Sequence, residues 1–336
     1  AERRGARIFT RTHAAEFNGG DRCEVVTDSG VRIFCAAIVV ATNTPVNDRL
    51  AIHTKQAAYR TYVVGLSVPR DSVPRALYWD TEDPYHYVRL QPEDDYDVLI
   101  VGGEDHKTGQ AEDTEERFAR LEAWARGRFA AAGEVLYRWS GQVMEPNDGV
   151  AYIGRNPFNR NIYIVTGDSG NGITHGTIAG MLLPDLIAGR DNEWASLYDP
   201  GRISLMSAAS YAKENLNMAA QYSDLVTGGD VESAAAIPPG EGAILRDGAT
   251  KIAAFRDENG KLHSCSAICP HLWGVVRWNG TEKTWDCPCH GSRFDAFGTV
   301  LNGPARSNLK PVDLAAPQEG TPVEPATDNG VLPYRS

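Results

Sequence analysis

The sequence predicts two domains: an α+β domain organised around a large antiparallel sheet and, after a linker, a small all-β domain. Three observations carry this. The 336 residues exceed one ordinary domain and suffice for two, each with its own core. Long strand-like runs separated by Pro- and Asp-rich turns fill the first part of the chain, whereas short strands with hairpin turns fill the last. Between them TGGDVESAAAIPPGEG gathers Gly, Pro, Ser and acidic residues without an apolar period, the composition of a linker. The boundaries implied are 1–227, a linker over 228–240, and 241–336.

The chain opens on Ala1, with a short apolar strand expected over 7–9, and reads as the interior of a longer protein. CEVV, the turn Asp28-Ser29-Gly30, VRIF and AAIVVATN predict a hairpin feeding a buried strand. Cys23 and Cys35 lie in these runs and read as small buried side chains. QAAYRTYVVGLSV, ALYW, YHYVRL and DVLIVGG follow with turns between them, the pattern of an antiparallel sheet. Asp113 with Glu116 three residues on is a capping-box signal, and Phe118, Leu121, Trp124 and Phe129 put an apolar stripe on the helix after it. NIYIVTG then runs through a glycine-rich turn into the helix ITHGTIAGMLLPDLIAG. A further helical stretch is expected over 209–226, and Asp257-Glu258-Asn259-Gly260 marks a hairpin in the second domain.

Charge narrows the partners. With 33 Lys plus Arg against 44 Asp plus Glu, the net charge is −11, which argues against nucleic acid and anionic membrane surfaces. No run of about 18 apolar residues exists, and AERRGARIF has charges where a signal peptide needs its apolar segment. A cytoplasmic protein is expected.

Four of the six cysteines, Cys265, Cys269, Cys287 and Cys289, fall within 25 residues, which points to a metal site rather than a disulfide framework. Cys269 and His271 are one residue apart, Cys287 and His290 two apart, and 15 residues separate the pairs. Two thiolates on one iron and two imidazoles on the other make a mixed 2Fe-2S cluster, whose potential lies above that of an all-cysteine cluster. The rival is structural zinc, but paired zinc ligands favour two to four intervening residues.

CPHLWG, CPCHGSRF and NGPA, in that order, resemble the Rieske proteins over roughly residues 240–315. The resemblance implies that Cys269, His271, Cys287 and His290 hold the cluster and that Ser292 donates its hydroxyl to a cluster sulfur. Phe294 stands where high-potential members carry a tyrosine. Cys289 matches a cysteine that is disulfide-bonded in respiratory members, but its partner position here is Gly274, so a free thiol is expected. Ring-hydroxylating oxygenases carry a mononuclear iron site downstream of the cluster, whereas only 46 residues follow His290 and none is His. Respiratory subunits carry a membrane anchor, and none is visible here.

TGDSGNGITHGTIAG resembles the C-terminal flavin loop of the glycine oxidase and D-amino-acid oxidase family, WSGQVMEPNDGVAYIGR its preceding strand pair, and VVATN its alanine-threonine turn. The whole chain is similar to a bacterial FAD-dependent oxidoreductase with a C-terminal Rieske domain, whose N-terminal βαβ unit with G-x-G-x-x-G is not seen here. The resemblance implies FAD contacts at Ala14, Ala41, Thr42, Gly167, Asp168, Ser169, Gly170, Asn171, Gly172, Ile173 and Thr174. Glycines let backbone N–H groups approach the ring, and a helix N-terminus favours negative charge on its reduced form. On the substrate side, Tyr87 and Arg89 alternate onto one strand face and His106 follows a strand end. An arginine can hold a carboxylate through a bidentate pair, while a plain strand arginine and a surface histidine remain open readings.

The expected function is oxidation of an amine or amino-acid-like substrate at FAD, with electrons leaving singly through the cluster to an acceptor the sequence does not name. The alternative is a ferredoxin-like Rieske carrier on a non-catalytic scaffold.

Overall fold

Apolar and β-branched residues dominate at Val63, Val64, Leu66 and Val68, and form an unbroken run at Val98, Leu99, Ile100 and Val101, and there the longest strands form. The computed structural model describes residues 1–47, 52–203 and 208–314. It opens with β1 (Ala14–Asn18), β2 (Cys23–Thr27) and β3 (Arg32–Cys35), an antiparallel meander, followed by β4 (Ile38–Val40). Residues 7–9 form no strand, and Ile8 and Phe9 are exposed. Cys23 is buried and Cys35 half-buried, directly opposite each other across β2 and β3, and both are thiols.

The large sheet comprises β5 (Gln56–Pro69), β6 (Tyr78–Trp79), β7 (His86–Pro92), β8 (Tyr96–Lys107) and, after α1 (Thr114–Arg128), β9 (Val135–Pro146). Its order is β6-β7-β8-β5-β9, antiparallel throughout. Helix α1 lays Phe118, Leu121 and Ala125 on Tyr62, Val64, Leu66, Leu99 and Val101. Burying one such large apolar side chain stabilises the fold by about 1.5–3 kcal/mol. Asp113 stands at the N-cap of α1, but its carboxylate bonds Arg117 and Arg120 instead of a helix N–H, so the capping box does not form.

A smaller sheet contains β10 (Tyr152–Arg155) and β11 (Ile162–Thr166) in the order β10-β11-β4. β11 runs parallel to β4, so the chain leaves both strands at the same edge. Next come α2 (Gly172–Ile187), α3 (Ala195–Tyr198) and α4 (Ala208–Gln221). Among the described residues no helix is long and apolar enough to cross a membrane.

The second domain is all β. β12 (Gly242–Asp247), β13 (Thr250–Arg256) and β14 (Leu262–Ser266) form one antiparallel sheet. β15 (Arg277–Asn279), β16 (Thr284–Asp286), β17 (Arg293–Asp295) and β18 (Val300–Asn302) form the other. Trp285 and Phe294 are fully buried in the core that also holds Cys269 and Cys287. The segment expected to be a free linker is bound to this domain. Asp230 N–H donates to Ile244 O at 2.7 Å, and Ile237 is buried beside Leu245 and Ile252. The end of the expected domain, residues 315–336, lies outside the described residues.

The two domains are docked through polar contacts that bury charge. Arg60 Nη2 lies 2.6 Å from Glu282 Oε1, and Glu282 also pairs with Arg293. Thr114 and Thr281 share a hydroxyl hydrogen bond of 2.6 Å, Arg277 pairs with Asp224 at 2.8 Å, and the Tyr222 hydroxyl donates to Leu272 O at 2.7 Å. Gly291 packs directly against the first domain. Its φ of +78° lies in the left-handed region, and a Cβ there would fall 2.3 Å from the Ala58 methyl.

Candidate redox centre

Two tight loops present the four expected metal ligands. In the first, Cys269 N–H donates to Gly274 O at 2.8 Å and Trp273 N–H to Cys269 O at 3.0 Å, which folds CPHLWG back on itself. In the second, Cys287 N–H donates to Ser292 O at 2.8 Å and Gly291 N–H to Cys287 O at 3.0 Å. The Cys269 and Cys287 sulfurs come within hydrogen-bonding reach of each other, and the His271 and His290 ring centroids are 4.9 Å apart. His290 Nε2 is buried without a hydrogen-bond partner, and burial pushes the pKa of this imidazole down to about 3, which keeps it neutral as a metal ligand must be. Two sulfurs side by side, with two facing imidazoles, fit the mixed ligand set of a Rieske cluster.

Ser292 is fully buried and its hydroxyl reaches Cys269 Sγ. Its oxygen accepts the Ala305 N–H at 3.0 Å, which ties the NGPA loop over the site and leaves the hydroxyl proton for sulfur. A Cβ on Gly274 would lie 2.6 Å from Cys289 Sγ, so the two positions are adjacent as expected, and Cys289 is a thiol.

The histidine edge faces inward. His53 of the first domain is buried, with its ring centroid 4.9 Å from that of His271 and 5.9 Å from that of His290. Strand β9 supplies the second link: the Gln142 side-chain amide donates to Gly291 O at 2.9 Å, next to His290, and its side-chain oxygen accepts from Thr108 at 3.1 Å.

The expected flavin residues gather at the edge where β4 and β11 end, the end of parallel strands at which ligands bind in open α/β sheets. Ala41 and Thr42 follow β4 and are exposed; Gly167 to Asn171 follow β11. The Thr166 hydroxyl donates to Asn43 O at 2.5 Å and joins the two turns. Ser169 N–H donates to Met144 O at 3.1 Å and its hydroxyl to Glu145 at 2.5 Å, so the glycine turn is also anchored on β9. Asn43 Nδ2 donates to Gln142 O at 3.2 Å. Gly172, Ile173 and Thr174 form the exposed first turn of α2, where backbone N–H groups have no partner within the helix. Exposed N–H groups beside an open glycine turn fit the electron-rich edge of a flavin. Ala14 stands apart, on β1 opposite Thr27.

Tyr87 and Arg89 line a cavity of about 450 Å³ with Thr61, Val143 and Ser169 of the flavin turn. The Tyr87 ring lies over Gly102, where a Cβ would fall 2.1 Å from it. His106 does not join them. β8 bulges at Gly103 and Glu104, whose φ values are +145° and +57°, and the register against β5 shifts there. One extra residue exchanges the faces of everything beyond it, so His106 turns to the α1 side. There its Nε2 meets the Tyr62 hydroxyl at 2.8 Å and its Nδ1 the Lys107 carbonyl at 2.8 Å. Asp105 turns to the Tyr87 side in its place, and burial pushes its pKa up to about 6.

His53, Gln142 and Asp105 are the site residues that sequence reasoning missed. The first two act through partners more than 140 positions away, and only the positive φ values at Gly103 and Glu104 set the third.

A cluster-ligating β domain docked by its histidine edge on a flavin-type domain defines an iron-sulfur flavoprotein of the oxidoreductase class. The chain belongs to the FAD dependent oxidoreductase family, whose model matches residues 1–186, and it carries a Rieske [2Fe-2S] domain matched over 229–313. The cofactors of these domains are FAD and a 2Fe-2S cluster. The putative Rieske 2Fe-2S iron-sulfur protein YhfW of Bacillus subtilis is 31% identical over 93% of this chain. The chain spans 61% of that relative's length. The cytochrome b6-f complex iron-sulfur subunit 1 of Nostoc sp. is 49% identical over 14% of this chain and 26% of its own length. Among solved structures, glycine oxidase from Geobacillus kaustophilus is similar with a TM-score of 0.49 and 16% identity, covering 60% of this chain and 54% of that one.

Proposed function

We propose that the protein oxidises an amine or amino-acid-like substrate and sends the electrons on, one at a time, through its Rieske centre. When bound, FAD supplies the hydride acceptor and the cluster the one-electron outlet. The observation that carries this reading is the placement of β9. Val143 lines the substrate cavity, Met144 and Glu145 hold the glycine turn, and Gln142 holds the loop that bears His290. Substrate cavity, flavin turn and cluster loop therefore share one rigid strand.

The residues of the chain bind, orient and exclude water. Cys269 and Cys287 ligate one iron, His271 and His290 the other, and Ser292 donates to sulfur and thereby favours the reduced state. The first turn of α2 stabilises negative charge at the ring's electron-rich edge. His53 packs against both imidazoles, on the side by which the electrons would enter.

An anaerobic screen of amines and amino acids against the full-length, FAD-loaded protein tests this. Bleaching of the flavin absorbance by a member of that class is expected; reduction by a nicotinamide alone, with every amine inert, would overturn the reading.

A further inference from the structure

We infer that Trp79, Tyr85 and Tyr87 form an aromatic box that receives the alkylated ammonium end of the substrate. This deepens, and rests on, the amine reading above. Trp79 and Tyr87 are directly opposed across β6 and β7, so their side chains share a sheet face. Tyr85 and Tyr87 are two residues apart, with ring centroids 6.1 Å from each other and planes inclined by 36°. All three rings line the 450 Å³ cavity that also meets Val143 and Ser169. Trp79 is 71% exposed, and it contributes little to any core, so its role lies toward the cavity.

Aromatic faces carry partial negative charge and attract a cation, most strongly one whose alkyl groups weaken its hydration. Behind the rings Asp105 and Glu145 add acidic charge, felt at both Tyr85 and, from Asp105, Tyr87. Arg89 is the positive group on the same wall, two residues beyond Tyr87, so the ammonium settles toward Trp79 and Tyr85 and the remainder of the molecule extends toward the guanidinium. Three π faces suit an ammonium whose alkyl groups weaken its hydration.

The probe is choline, compared by calorimetry with its neutral isostere 3,3-dimethylbutan-1-ol on the whole protein without turnover. Choline should bind about tenfold more tightly than the isostere. Trp79→Leu should remove most of that preference and Trp79→Phe keep part of it, and the exposure of Trp79 means that neither change threatens folding. Equal binding of the two probes, binding of neither, or a preference that survives Trp79→Leu would overturn the box. The two readings fail separately: an amine that bleaches the flavin while choline shows no preference removes the box alone, and a choline preference without any oxidised amine removes the proposed reaction alone.

Discussion

The side-chain amide of Gln142 donates to the carbonyl of Gly291 at 2.9 Å, and Gly291 follows His290, a proposed iron ligand. The same residue accepts from Asn43 through its backbone carbonyl and from Thr108 through its side chain. One residue of β9 thus fixes the cluster loop against the turn that follows β4.

Gln142→Ala should loosen this joint. It leaves the Gly291 carbonyl and the Thr108 hydroxyl without their partner, at about 1–3 kcal/mol for each buried group left unsatisfied. Faster amide exchange in the loop over 287–292, with iron content unchanged, is the expected result. Unchanged protection would show that the loop is held by something else.

Replacing His271 or His290 with Ala should cost the cluster if, as proposed, each supplies an iron ligand. Cys289→Ala should retain it. Iron and acid-labile sulfide content, with the low average g value of a mixed histidine-cysteine cluster, are the readouts, and cluster loss in Cys289→Ala would contradict the ligand assignment.

The midpoint potential should lie below that of respiratory Rieske proteins, since Phe294 lacks a hydroxyl donor and Cys289 has glycine at its partner position. A hydrogen bond of about 1 kcal/mol corresponds to about 40 mV for one electron, so Phe294→Tyr should raise the potential by that order. Voltammetry that finds no rise would mean that the new hydroxyl does not point at the cluster. Gly274→Cys should bridge to Cys289 and shift the potential in the same direction.

Docking should weaken in acid. Burial alone would raise the pKa of Glu282, but Arg60 and Arg293 outweigh it and hold the carboxyl below its ordinary value. A carboxylate whose folded pKa is depressed stabilises fully above the unfolded value of about 4.3 and loses that contribution as pH falls through the folded value. Urea unfolding should show this loss below about pH 4. Glu282→Gln should cost about 3–5 kcal/mol at neutral pH, because it strands Arg60 in a buried site, and should flatten the acid limb. An acid limb identical to the parent's would assign the effect to another group.

What the sequence made legible was local. The pairs Cys269 with His271 and Cys287 with His290 lie within four residues each, strand-like runs between Pro- and Asp-rich turns marked β5 and β8, and alternation placed Tyr87 and Arg89 on one face of β7. What it hid depended on distant partners or on one residue of slip. The capping signal at Asp113 was real in spacing, yet Arg117 and Arg120 took the carboxylate. The linker composition over 228–240 gave no weight to Ile237, which with Val231 and Ala234 anchors the segment in the second core. His53, which packs on both imidazoles, lies more than 200 positions from either of them in the chain.

The packing of His53 on His271 and His290 implies that electrons pass from flavin to cluster within one molecule. In the full-length, FAD-loaded protein under anaerobic conditions, substrate should reduce the flavin and then the cluster of the same molecule, followed by stopped-flow absorbance. The rate of cluster reduction should not change with protein concentration. A rate that rises in proportion to concentration would contradict it, because electrons would then be passing between molecules and the Rieske domain would be acting as a carrier.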